Sequence, residues 1–578
     1  MSAQIVIAGF PSTDFVPGAY GKVNYGAGAT SAASIPLRLL CVGMKAANGS
    51  GISPQDVSVD FCPDTFTVDA LYGAGGQLTR TVQAALGIQG VQVYGAPVAV
   101  PGGATQASAV FTITAAQSAA GTLTVRLGGI SIQISVGAAD TATVIATNLA
   151  AAINATARLP FTATSSVGVV TATVITPGLS GNQYIAFAVT TQCPGVTCSV
   201  TGVAWATGVA KPVGTFGVPT VANGYYYKVT AIAGTGTTGA SEPTWPTTVG
   251  TTVIDNTGPN QITWTCWGLV VTGGGITAGG GAGAENVTNV LNLIVNQAYD
   301  RIAICQNDST NLGRWRTQVD AQAGPLSLLL QHAIYATNGT LAAATTLAQT
   351  SLNDQRFQGL WYLNSETAPW ELAGTFAAMR TAAEAVDPDA IFDGQVLPNV
   401  APQSQKQDWA VHATLVSALN NGVTPISTNQ SSQAYMVRSI TTHSLNGSTP
   451  DYSTLDTSTA VVPDFVLKSL LLYWSSTFRQ GNPRVAPDLP PGAPKYPTGV
   501  AYPALWSSAA NKILNDMANG NIGGVQVPPI LTAVAQNPVV SGYDFVANRI
   551  MSAVTVVPMP GQHQVGVSVN VAALSPYP

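Results

Sequence analysis

Three groups of residues in this 578-residue chain have types and spacings that could do chemistry. The first is Gly234-Thr-Gly236-Thr-Thr-Gly239, which follows the apolar run Tyr225–Ile232. Its G-x-G-x-x-G spacing is the one with which a strand-to-helix turn cradles a pyrophosphate. The residues that follow, Ala240-Ser-Glu-Pro243-Thr-Trp-Pro246, place two prolines where that helix would have to begin, so the run reads as a surface loop. Gly18-Ala-Tyr-Gly21-Lys22-Val23 has neither the spacing nor the Ser/Thr of a phosphate-binding loop.

The second group comprises the titratable residues. His332, His412, His443 and His563 are dispersed, without H-E-x-x-H spacing, and no G-x-S-x-G elbow occurs. Asp387-Pro388-Asp389 with Asp393 is the densest acidic set; Pro388 should end a helix there, which makes it a solvated turn rather than a carboxylate dyad. Cys41, Cys62, Cys266 and Cys305 stand singly in apolar contexts and read as buried thiols. Cys193 and Cys198 could close a small loop or offer two metal ligands, and their redox state stays open. No second pair or nearby His completes a zinc site. The expectation is a chain with no catalytic residue, no cofactor and no metal.

The third group is aromatic. Trp205, Phe216, Tyr225, Tyr226, Tyr227, Trp245, Trp264 and Trp267 crowd into one short stretch. Tyr226, Trp245 and Trp264 could form a flat platform for a sugar ring. The alternative is that a small module needs them as its own core.

The elements around these residues divide the chain. Residues 285–460 alternate short apolar strands (Arg301–Cys305, Gly359–Leu363) with helical periodicity at Leu326–Tyr335, Leu372–Val386 and Asp408–Leu419. This is the grammar of a parallel α/β sheet. Residues 23–96 repeat it, with strand Leu37–Gly43, helix Leu78–Leu86 and strand Val91–Tyr94. Between them, residues 97–195 read as an α+β domain. Its strands are Ala109–Thr114, Gly121–Val136, Phe161–Ala163, Val169–Thr176 and Tyr184–Thr190, with a helix from Asp140 as N-cap to Asn154. Residues 196–271 read as a small all-β aromatic module and Gly-rich 272–284 as a flexible linker. The tail, 461–578, has helices near Phe465–Phe478 and Pro503–Met517, then strands at Arg549–Val557 and Gln564–Val571. The fold class is therefore α/β and α+β multidomain: an α/β core interrupted by two inserted modules, a C-terminal α+β domain, and β-strand arms at the termini.

Composition narrows the function. Only 8 % of residues are charged, 21 basic and 26 acidic, for a net charge of −5. That excludes a charge-driven nucleic-acid binder. Mean hydropathy is +0.26, yet no apolar run is long enough to span a membrane. The first residues lack the basic start of a secretory signal. A chain this poor in charge has little self-repulsion, which is either compositional drift or the mark of a subunit in a large assembly.

Several stretches resemble the contractile phage tail sheath proteins, particularly the Mu-like branch. Phe10-Pro-Ser-Thr-Asp-Phe-Val-Pro17-Gly18-Ala-Tyr20 resembles the family's opening segment, and Leu37-Arg-Leu-Leu-Cys-Val-Gly43 its first core strand. Asp69-Ala-Leu-Tyr-Gly73-Ala-Gly-Gly76-Gln-Leu-Thr-Arg80 resembles its turn before a helix. Tyr435-Met-Val-Arg438-Ser-Ile-Thr-Thr442 and Asp464-Phe-Val-Leu-Lys-Ser-Leu-Leu471 also match in kind. The resemblance covers roughly residues 5–95 and 285–578. Residues 97–192 are similar to the α+β insertion of Mu-like sheaths, and 210–268 to a small aromatic module found on various phage tail proteins.

The resemblance implies a structural, non-enzymatic virion protein, assembled in the host cytoplasm. It would stack on itself as six-fold rings around a tail tube, contract to drive that tube through the host envelope, and meet baseplate and tail terminator proteins. It implies neither nucleic acid nor membrane insertion. The residues leave a second class open, a virion-surface or secreted carbohydrate-binding protein using the aromatic module. Ile5 and Ile7 at one end, and Val565, Val567, Val569 and Val571 at the other, alternate as strands with one buried face. With Val554 and Val556 in a receiving hairpin Arg549–Val571, they are the expected inter-subunit strands. Both inserted modules are expected on the outside of the assembly, and Lys512 and Asp516, one turn apart, facing the tube.

Overall fold

The computed structural model describes residues 37–561, apart from 47–50, 116–119, 190–191, 194–195, 202, 212, 214, 221–222, 224, 249, 270–275, 404–405, 523–524 and 533–538. The architecture is α/β and α+β multidomain, as the sequence implies.

Its centre is an eight-stranded sheet in the spatial order Asp60–Phe61, Gln92–Val98, Arg38–Met44, Arg301–Ile304, His332–Thr337, Phe357–Trp361, Thr424–Thr428, Ala434–Met436. The six inner strands are parallel and each edge strand is antiparallel. Helices Thr65–Tyr72, Gln77–Leu86 and Pro369–Glu384 bury Tyr72, Leu78, Val82 and Phe376 on one face. Helices Thr288–Ile294 and Ser309–Gln322 bury Leu291, Ile294, Leu312 and Trp315 on the other. Covering both faces is what makes the strands read as unbroken apolar runs.

The same burial explains a misreading. Leu326–Tyr335 carries apolar residues at helical spacing, but His332–Thr337 is a strand buried nearly throughout. A short run buried on both faces has no strand period to show. The chain before it turns at Gly324, with Leu328 at φ 55°, which no helix accommodates. The helix expected at Asp408 starts at His412, and the N-cap placed at Asp140 is Thr141, whose hydroxyl accepts from Val144 N–H. The Asp140 carboxylate instead accepts the N–H of Gly137.

The inserted α+β domain packs two four-stranded sheets and helix Ala142–Ala155 around Phe111, Leu123, Val125, Ile145, Leu149 and Val170. Its limits differ from those read off composition. Val196–Thr201, assigned to the aromatic module, pairs along its whole length with Ser108–Ala115. The Gly-rich stretch is no free linker where it is described. Ile276 and Thr277 pair with Ala186 and Ile185, Gly279 bridges to Ser108, and Ala282 bridges to Thr105. The chain leaving the core is thus zipped to the chain returning to it. The glycines are there for closeness: a Cβ on Gly281 would stand 2.4 Å from the Gly178 carbonyl oxygen.

The aromatic module is a five-stranded sheet ordered Val203–Ala204, Phe216–Val218, Tyr225–Ile232, Ile262–Leu269, Thr252–Asp255. The C-terminal domain joins helix Thr457–Tyr473, its π-helical extension Trp474–Phe478, helix Pro503–Ala518 and the hairpin Val539–Asp544/Arg549–Val554. Val462, Phe478, Trp506, Met517 and Ile530 form its core.

Candidate functional site

In an open parallel sheet, ligands bind beyond the carboxyl ends of the strands where strand order reverses. Here that point lies at Arg38–Met44, since the chain adds Gln92–Val98 on one side of it and Arg301–Ile304 on the other. The residues converging there are Gly43, Met44, Gln77, Glu285, Cys305 and Gln306. Gln77 opens helix Gln77–Leu86 and its amide oxygen accepts the N–H of Met44 at 2.8 Å. Its amide nitrogen donates to Glu285 Oε1 at 3.3 Å, and Gln306 Nε2 donates to Glu285 Oε2 at 2.5 Å. Gly43 abuts Cys305, where a Cβ would meet Sγ at 2.5 Å. Burial raises the Glu285 carboxyl above its ordinary pKa, and the two amides act against that. A side-chain carboxylate of the chain itself therefore sits where a doubly wound protein would hold an anion.

Among the described residues, the three aromatics expected to bind a ligand form no exposed platform. Trp264 is fully buried and Tyr226 is 9 % exposed. Trp245 is half-buried, with its ring 4.3 Å from that of Tyr227 and 5.5 Å from that of Trp264. Asp255 ties the core together, accepting from Trp205 Nε1 at 2.7 Å, Trp264 Nε1 at 3.1 Å and the N–H of Gly239 at 2.8 Å. Trp245 and Trp264 belong to the module's own core, while Tyr226 is buried in the cluster of the inserted α+β domain, so the three do not share one exposed face. The Gly234–Gly239 run is a loop, with Gly234 and Gly236 at positive φ.

Other expected sites resolve individually. His332 is buried in its strand rather than on a helix, and His412 is exposed at the start of its helix. Asp389, expected in a solvated turn, is only 9 % exposed and its Oδ1 has no hydrogen-bond partner. Burial pushes its pKa up to about 8. Cys41, Cys62, Cys193, Cys266 and Cys305 are buried. Among the described residues no group of His, Cys, Asp or Glu could hold a metal, and no helix is long and apolar enough to cross a membrane.

Ile5, Ile7, Val565, Val567, Val569, Val571 and His563 lie outside the described residues. Val554 ends the strand Arg549–Val554, and both it and Val556 pack against the C-terminal core. That strand pairs with Val539–Asp544, which precedes it; the second strand of the expected hairpin, Gln564–Val571, lies outside the described residues. Beyond it the chain turns to bridge Pro558 with Leu531. Lys512 is exposed on helix Pro503–Ala518, with Asp516 on the same side.

The residues that sequence reasoning missed are the buried charges at the joint between core and C-terminal domain. Asp464, on helix Thr457–Tyr473, accepts from Arg356 Nη1 at 2.6 Å and Nη2 at 3.0 Å, and faces His332 Nε2 at 2.9 Å. Burial opposes the Asp464 charge, but Arg356 and His332 hold the carboxyl well below the usual range. Lys468, one turn on, reaches Asp300 at 2.6 Å, and Arg438 pairs with Asp456 just ahead of the helix. Beneath them Glu384 lies between Arg301 and Arg380. The only signal in the sequence was the scarcity of charge, which makes each charged residue conspicuous.

Among solved structures, the sheath tail protein of Desulfitobacterium hafniense is similar over 93 % of this chain and 100 % of its own, at 10 % identity and a TM-score of 0.39. The sheath tail protein of Listeria innocua is similar over 92 % and 96 %, at 10 % identity and a TM-score of 0.38. The contracted helical sheath of the anti-feeding prophage is similar over 49 % and 74 %, at 9 % identity and a TM-score of 0.33. No protein-family model and no curated protein matches the chain.

Proposed function

We propose that this chain is the structural subunit of a contractile phage tail sheath. Copies stack as six-fold rings around a tail tube, bounded by baseplate and tail terminator proteins, and contraction drives the tube through the host envelope. One observation carries the reading. Of the five stretches that resemble the family, the three ending in or holding Arg80, Arg438 and Asp464 each supply a charged residue to a long-range contact: Arg80 joins two core helices and reaches the insert's Arg158 carbonyl, and Arg438 and Asp464 tie the core to the C-terminal helix. Arg80 pairs with Glu371, Arg438 with Asp456, and Asp464 with Arg356. In a chain with only 47 charged side chains, these stretches thus place theirs in contacts that join distant parts of the fold.

Energy for such a machine is stored in subunit contacts, so it needs no nucleotide, and the filled switch point agrees with that. The terminal runs Ile5–Ile7 and Val565–Val571 serve as connectors that add to sheets of neighbouring subunits through main-chain hydrogen bonds. Burial of Tyr226 and Trp264 speaks against a carbohydrate-binding role for them. The test is sedimentation of the full chain beside a truncation after Pro560. The full chain should sediment as large assemblies and the truncated chain as a folded monomer. Assemblies of equal size from both would overturn the connector role, and a full chain that stays monomeric would overturn the sheath reading.

A further inference from the structure

The contacts between the inserted α+β domain and the α/β core are built from side chains that neither part satisfies alone. Helix Gln77–Leu86 starts at Gly76, which has no side chain to cap it. The missing cap comes from the insert, whose Thr176 hydroxyl accepts the N–H of Gln77 at 3.1 Å. A helix start without such a partner leaves buried N–H groups unsatisfied. On the same helix Arg80 holds Glu371 of helix Pro369–Glu384 bidentately, at 2.5 and 2.7 Å, and also donates to the Arg158 carbonyl of the insert. Arg158 in turn reaches Asp69 at 2.6 Å, and Arg126 of the insert reaches Glu366 at 2.8 Å.

Further contacts close the junction. The side chains of Gln183 and Asn307 exchange hydrogen bonds at 2.9 and 2.7 Å, and Asn338 donates to the Gln183 carbonyl at 2.9 Å. The Tyr184 ring stands edge-on to that of Trp370 at 5.0 Å, each residue 1 % exposed. Gly75, at φ 79°, lies so close to the insert that a Cβ would stand 2.5 Å from the Leu159 carbonyl oxygen. Asn307, Asn338 and Glu366 all follow the carboxyl ends of parallel strands. The insert therefore sits on the sheet edge where a ligand of this fold class would lie.

We infer that the inserted domain is the permanent partner of that edge: it caps the core helix, fills the ligand crevice and forms one cooperative folding unit with the core. An insertion read from composition as a tethered, independently moving module is instead a part the core cannot do without. This inference does not depend on the sheath reading, since it concerns a single chain.

Hydrogen exchange on the full chain tests it, with Phe111→Leu or the milder Ile145→Val placed in the insert's own core, away from the junction residues. The readout is protection at the core strand Arg301–Ile304 and at helix Gln77–Leu86. If insert and core are one unit, protection there falls by the same factor as at the insert strand Val169–Val174, tenfold or more for Phe111→Leu. Core protection that stays at its wild-type level while the insert loses its own would overturn the inference. Thr176→Val supplies a second arm: it should lower protection at the first turn of helix Gln77–Leu86, and no change there would count against the cap.

Discussion

Asp464 and Arg356, 108 positions apart in sequence, face each other through two hydrogen bonds with both side chains almost wholly buried. A buried pair of this kind adds little net stability, but removing one partner strands the other charge. Asp464→Asn should therefore destabilise the chain by about 3–5 kcal/mol, measured by urea unfolding followed at the tryptophans. Because the pair joins two domains, the C-terminal helices should lose hydrogen-exchange protection first.

The same joint carries two contributions that weaken toward acid. Asp464 has a depressed folded pKa, so its contribution is present above the unfolded carboxylate range and is lost as pH falls below about 4. Burial, assisted by Arg301 and Arg356, lowers His332 to about 3. It stays neutral in the fold while the unfolded chain takes up a proton below about 6.5. Both effects reduce stability toward acid. Between pH 6.5 and pH 4, His332→Gln should therefore lose less unfolding free energy toward acid than the wild type does. An unchanged slope in the variant would show that His332 does not contribute.

Asp389 works in the opposite direction. Its folded pKa, raised to about 8 by burial, exceeds that of the unfolded chain, so stability is lost as pH rises from about 4 to 8. Asp387 and Asp456 lie near it and disfavour its charge further. Asp389→Asn should raise the thermal midpoint by several degrees at pH 7.5, with the gain vanishing below pH 4. Calorimetry at the two pH values reads this directly.

Asp255 should be indispensable to the aromatic module alone. Hydrogen bonds to a charged acceptor are worth about 1.5–3 kcal/mol each, and Asp255 accepts two from indoles and one from the backbone. Asp255→Leu should abolish exchange protection across strands Tyr225–Ile232 and Ile262–Leu269. Protection in the eight-stranded sheet should change far less.

The parts of the fold that were legible in sequence are those with one buried face and the short apolar strands Arg301–Ile304 and Phe357–Trp361. Leu78, Val82 and Leu86 mark their helix, and Gly121–Val136 alternates as the hairpin it forms. His332–Thr337 was not legible because burial on both faces erases the strand period while the preceding Leu326–Leu330 supplies a helical one. Glycine content misled at 276–283, where Gly serves close packing rather than freedom. Thr176, Glu285 and Asp464 were invisible as joint residues because their partners lie 99, 208 and 108 positions away, and no local pattern encodes such a pairing. The aromatic residues were visible as a cluster, but a core and a platform have the same composition; only burial separates them.

The central claim, that this chain builds a sheath, is tested most directly by electron microscopy of the purified full-length protein at high concentration. The account predicts hollow cylinders of uniform diameter, with six subunits in each ring and a lumen wide enough for a tube. Discrete particles or trimers under the same conditions, with no cylinders at any concentration, would contradict it.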